Sequence, residues 1–167
     1  MELVTPFLKN RALVRKRALL AFDHLRKHPL VDKSKIGAIG FCFGGMCVME
    51  LARSGEDLAA AVTMHGVLEK SELPTHSIKS KLLILHGYQD PQSPPDALKK
   101  FADEMEQAEG PDWVFTNFGH AKHSFSEPRA GKVDPERERK MGRAYNRFAA
   151  EQGFRYALDF FNQMGCQ

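Results

Sequence analysis

Apolar residues change their spacing several times along this chain. Between residues 8 and 27, in LKNRALVRKRALLAFDHLRK, Leu13, Ala18, Leu20, Ala21 and Leu25 recur close to the helical period while cations fill the other face, which predicts an amphipathic helix. HPLVDKSK interrupts the pattern. IGAIGF (36–41) then forms a short, continuous apolar run of the kind that strands buried on both faces show. A helix from about 44 to 53 ends at SGED, and LAAAVTMHG (58–66) reads as a second buried strand, with its alanines leaving a helix open.

KLLILHG (81–87) is the clearest strand and ends in the turn YQDPQSPP. PDALKKFADEMEQAEG (95–110) has helical spacing with proline at its start and glycine at its end, the usual asymmetry of helix boundaries. DWVFTNF (112–118) predicts a fourth strand and NRFAAEQGFRYALDFFNQM (146–164) a closing amphipathic helix, whose phenylalanines, with Trp113, are expected in the core. Helices alternating with apolar strands predict an α/β fold around a mostly parallel sheet, in one domain spanning 1–167.

Composition narrows the function classes. A formal net charge of +3 over 167 residues, with cations and anions interspersed, gives nucleic-acid binding little support. The densest charge run, DPERERKMGR (134–143), alternates in sign and suits a solvated loop or helix face. No apolar run approaches the roughly 20 residues of a membrane span, and no stretch at the start has signal-peptide order. Three cysteines without a CxxC pair suit a reducing compartment, so a cytoplasmic location is expected.

In parallel sheets ligands gather beyond the carboxyl ends of the strands, where this chain places Cys42, His65, Asp90 and His123. GFCFGG (40–45) matches a sharp strand–nucleophile–helix turn, in which a strained central residue is tolerated because Gly40, Gly44 and Gly45 leave room around it. At a helix N-terminus the dipole and free N–H groups favour thiolate over thiol. The Phe43 N–H would then supply half of an oxyanion hole. The plainer alternative is a small buried Cys42 whose glycines serve close packing. The order Cys, Asp, His along the chain favours the nucleophile, because it is the order of nucleophile, acid and base in α/β-hydrolases.

GFCFGG, AAVTMHGVL, ILHGYQDPQSPP, FGHAKHSF and AYNRFAAEQGFRYALDFF together resemble the dienelactone hydrolase family of the α/β-hydrolase superfamily, over a span running from the first helix to the last. The resemblance implies an α/β-hydrolase fold and a Cys-Asp-His triad of Cys42, Asp90 and His123, hydrolysing a small ester or lactone without cofactor or metal. It also implies a longer N-terminal part that supplies further strands, a second oxyanion donor and an acidic residue near the resting cysteine. This chain would then hold only the C-terminal portion of the sheet, and strand 36–41 would find its partner in a missing N-terminal segment or a second copy. An arginine that follows the histidine by four residues in dienelactone hydrolase corresponds here to Glu127, with Arg129 nearby, which argues against dienelactone itself as substrate.

His120 competes with His123 as base, and the family pattern, with a small residue at the first position, favours His123. Asp90 alone could be a turn residue ahead of Pro91. His65, His86, His120 and His123 match no metal-ligand spacing. Cys47 is expected in the core and Cys166 at the surface. Two other functions fit the same residues: a catalytically weak remnant or interaction module of this fold, and a redox-sensing thiol protein.

Overall fold

The computed structural model describes residues 4–108 and 112–166. Four strands, β1 Gly37–Phe41, β2 Ala60–Met64, β3 Lys81–Gly87 and β4 Trp113–Phe118, lie side by side in chain order, every neighbouring pair parallel. Helices α1 (Thr5–Lys9), α2 (Arg11–Arg26), α3 (Phe43–Arg53), α4 (Pro95–Gln107), α5 (Pro135–Lys140) and α6 (Arg147–Gln163) complete the architecture.

Successive side chains of a strand point to opposite faces, so β2 and β3 feed two cores. Ala61, Leu82 and Ile84 pack with Phe22 of α2, Met49 and Leu51 of α3, and Phe101 and Met105 of α4. Val62, Met64, Leu83 and Leu85 pack with Phe118, Phe125 and the small residues Ala149 and Ala157 of α6. A strand covered on both sides reads as one apolar run, which explains why KLLILHG marks β3 residue for residue. Within LAAAVTMHG, Ala60–Met64 form β2, and α3 settles closely on it at Gly45. A Cβ on Gly45 would stand 2.2 Å from Thr63 Oγ1.

Several expectations change. The predicted helix 8–27 is two helices, broken at Asn10, whose side chain accepts the Leu13 N–H (3.0 Å) and caps α2. The predicted strand 36–41 is less covered on its faces than its apolar run suggests, with Ile39 39% exposed, and β1 lies at the sheet edge that the family resemblance implied. Trp113 is half-buried, and Phe148 and Phe154 are exposed, because α6 turns Ala149, Ala150, Gly153 and Ala157 toward the sheet. The charge run forms α5, with Asp134 accepting the Arg137 N–H at its cap (3.1 Å). No helix among the described residues is long and apolar enough to cross a membrane.

Charged residues fasten α3, the helix that begins at Cys42. Glu50 and Arg53 are fully buried; Glu50 accepts from Arg15 of α2 (2.9 Å), and Arg53 donates to Glu104 of α4 (2.8 Å) and to the Leu68 carbonyl (3.1 Å). Thr75 also donates to Glu104 (2.9 Å), so the polar groups of this buried network meet partners on three helices and one loop.

Candidate active site

Cys42 stands between β1 and α3 with φ +51° and ψ −117°. Its N–H makes the last bond to β2, at Met64 O (3.2 Å), and its carbonyl accepts the first bond of α3 from Met46 (3.3 Å). The positive φ turns the side chain out above the sheet, a strained conformation that a non-glycine residue keeps only when its surroundings enforce it. The tight turn requires glycine at position 40, where a Cβ would lie 2.1 Å from the Gly44 carbonyl oxygen. Gly44 itself faces open space, so the expectation that all three glycines are needed for clearance holds for Gly40 and Gly45 only.

Two loops bring the remaining groups to the sulfur. Asp90 follows β3 in a turn closed by its own N–H to Gly87 O (2.9 Å); one carboxylate oxygen accepts from Gln92 N–H (2.8 Å) and the other from His123 Nδ1–H (2.8 Å). With Nδ1 committed to Asp90, the opposite nitrogen, Nε2, lies 2.9 Å from Cys42 Sγ. His123 and Asp90 are both buried. His120 is exposed, away from this chain of contacts.

A third segment ties the two loops together. The His123 N–H donates to Gly142 O and the Ala144 N–H to His123 O, both at 3.1 Å, while Asn146 N–H reaches Phe125 O (3.0 Å). Residues 142–146 thus run alongside 123–125, and Gly142, at φ +65°, touches the Pro91 ring. Arg143 donates from Nε to Ser124 Oγ (3.0 Å) and lies 3.7 Å from Glu138.

These contacts set the proton. Burial by itself would raise the Cys42 pKa, but the hydrogen bond and charge of His123, then the Phe43 N–H and the Arg143 guanidinium, hold it below the ordinary thiol value. Burial likewise pulls His123 down, and its hydrogen bonds and attraction to Asp90 and Cys42 overcome that, raising its pKa to about 9. Both shifts favour a thiolate beside an imidazolium.

The other cysteines differ. Burial raises the pKa of both Cys47 and Cys166. Both are half-buried, so Cys47 is less deep and Cys166 less exposed than expected; the Cys166 sulfur packs against Gly37. Among the described residues no three His, Cys, Asp or Glu side chains gather as metal ligands. Glu127 and Arg129 are exposed.

Two contributions escape the sequence. Arg143 hides in the charge run, and only its place beside His123 in the folded chain gives it influence on Cys42. His65 ends β2 as expected, but its ring stands edge-on to His123, centroids 5.3 Å apart, with Nε2 2.8 Å from Ser126 Oγ.

The model of the dienelactone hydrolase family matches residues 1–165. The chain belongs to the dienelactone hydrolase family. An uncharacterized Caenorhabditis elegans protein, K02A2.1, is 31% identical over 153 residues, 90% of this chain and 93% of that one. A mouse carboxymethylenebutenolidase homolog is 24% identical over 117 residues, 70% of this chain and 46% of the mouse protein. Among solved structures, the dienelactone hydrolase-like promiscuous phosphotriesterase P91 from metagenomic libraries superimposes with a TM-score of 0.87 and 35% identity, covering 98% of this chain and 66% of P91. The chain therefore spans nearly all of the worm relative, just under two thirds of P91 and under half of the mouse protein.

Proposed function

We propose that this member of the dienelactone hydrolase family hydrolyses small esters or lactones through a thioacyl intermediate on Cys42. The observation that carries the reading is the continuous line of contacts from Cys42 Sγ to His123 Nε2 (2.9 Å) and from His123 Nδ1 to Asp90 (2.8 Å), assembled at a strained turn. Thiolate attacks the carbonyl carbon, and the Phe43 N–H at the start of α3 stabilises the oxyanion. The alkoxide leaves with the Nε2 proton of His123; water, deprotonated by the same nitrogen, then frees the acid and restores the thiolate. Asp90 holds the tautomer that keeps Nε2 toward the sulfur.

The similarity to P91 motivates a second substrate class, phosphotriesters, with the same thiolate attacking phosphorus. The test is a panel of p-nitrophenyl esters, small lactones and a p-nitrophenyl dialkyl phosphate, run on wild type and Cys42→Ala. Release that depends on Cys42 supports the reading, and its best substrate decides between carbon and phosphorus. Equal rates for the two proteins refute it.

A further inference from the structure

His65 combines features that folded proteins avoid. Its backbone has φ +40°, in the left-handed region disfavoured for residues with a side chain. Its imidazole is fully buried, and Nδ1 lies in the interior without a hydrogen-bond partner. A leucine or methionine would fill such a space with no polar atom to satisfy. The fold tolerates these defects at a position whose ring touches the base.

The contacts show what the ring does. It meets His123 at 66° between ring planes, is backed by the edge of Phe125 at 5.1 Å, and is fixed at its far end by Ser126. Ser126 lies on the same loop as His123, three residues on, so strand end and loop are joined through this one side chain. Orphaned buried N–H groups are rarer than orphaned acceptors, so the proton belongs on Nε2, donated to Ser126 Oγ. Burial first, then the nearby His123 and Arg143, lower the His65 pKa to about 3 against the opposing pull of Asp90, so the ring remains uncharged beside the imidazolium.

The wedge matters most when the sulfur is occupied. At rest His123 is held at both nitrogens. Once Cys42 carries the acyl group and the alkoxide has left with the Nε2 proton, the sulfur is a thioester and no longer an anionic acceptor. Only the Asp90 bond remains, and a ring held at one nitrogen can pivot. The next step needs Nε2 aimed: it takes a proton from water, the water oxygen bonds to the carbonyl carbon, the C–S bond breaks, and the electron pair returns to sulfur as thiolate paired with imidazolium. We propose that His65 is a positioning residue for deacylation, an uncharged wedge that keeps His123 Nε2 directed at the attacking water while Cys42 is acylated.

This inference rests on the thioacyl reading above, and the two can fail separately. Wild type, His65→Asn, His65→Phe and Ser126→Ala would be mixed with p-nitrophenyl acetate, acylation followed as the burst of p-nitrophenol and deacylation as loss of the acetyl group from Cys42 by intact mass. Asn tolerates a positive φ but removes the ring; Phe keeps the wedge and loses only its polar anchor. Deacylation in His65→Asn should fall about tenfold or more, as misaimed catalytic groups typically cause, with acylation changed less than about threefold. His65→Phe should recover most of the loss, and Ser126→Ala should lie between. Equal slowing of both steps in His65→Asn, or a Phe variant no faster than Asn, overturns the inference alone; should the Asn variant not fold, His65→Gln, which also removes the ring, is compared with His65→Phe and read in the same way. Wild type that never acylates Cys42 overturns the thioacyl reading and the inference with it.

Discussion

Gly142 passes Pro91 so closely that a Cβ on the glycine would lie 2.3 Å from the proline Cγ. The two residues join the loop of Asp90 to the segment whose carbonyl accepts the His123 N–H (3.1 Å). Gly142→Ala introduces both that collision and a side chain at φ +65°, at a cost of about 1–3 kcal/mol for the backbone strain alone. Cys42-dependent activity should fall by about a hundredfold, because the displaced group, His123, is the base of the proposed reaction. Adding Pro91→Ala removes the collision and should restore part of the activity, measured alongside urea unfolding of each variant. A Gly142→Ala protein with wild-type turnover would show that the clamp does not set the geometry.

The three cysteines should separate by pH. A lowered pKa puts Cys42 in the thiolate form at pH values where an ordinary thiol is protonated, whereas the raised pKa values of Cys47 and Cys166 delay theirs. Iodoacetamide should therefore label Cys42 first below pH 8, read by peptide mass. Arg143→Gln removes one of the charges that hold the thiolate, so its Cys42 labelling profile should move to higher pH, and Arg143→Lys should move it back. Parallel profiles for Cys42 and Cys166 would argue against an activated sulfur.

How much of this was legible in the chain depended on distance along it. β3 is continuous and apolar because both of its faces are covered, and this local signal locates it to the residue. IGAIGF carries the same signal, yet β1 lies at an edge; the run itself cannot show this, because whether a strand has a second neighbour is decided by residues elsewhere, and only the family resemblance implied it. The choice of His123 over His120 came from the family resemblance, whereas Cys42 and Asp90 were recognisable from local motifs at strand ends. Their supports were not: Gly142 meets Pro91, and His65 meets Ser126, across 51 and 61 residues, and no local pattern marks either pair. Arg143 was masked by its neighbours, since alternating charge is the usual signature of a solvated face.

The two loop histidines make a sharp comparison. His123 contacts the sulfur while His120 is exposed, so His123→Ala should nearly abolish Cys42-dependent turnover and His120→Ala should leave most of it. Steady-state rates on one p-nitrophenyl ester decide it; the reverse pattern would assign the base to His120.

The edge of β1 predicts association. Ile36 O and Cys42 N–H bond toward β2, so by alternation the N–H and C=O groups of Gly37, Ile39 and Phe41 face outward, and no described residue pairs with them. Such an apolar, unpaired edge invites another strand, and this chain on its own should self-associate at tens of micromolar. Sedimentation velocity checks it, together with hydrogen exchange along 37–41. A monodisperse monomer with fast exchange at those amides would contradict it.

In the proposed reaction Cys42 carries the acyl group during turnover. Wild type acid-quenched within the first turnover of p-nitrophenyl acetate, digested and analysed by mass, is expected to carry one acetyl group on the Cys42 peptide that disappears as substrate is exhausted, with none in Cys42→Ala and slow appearance in His123→Ala. Release of p-nitrophenol at the same rate in wild type and Cys42→Ala, with no acetyl on that peptide at any time, would contradict it.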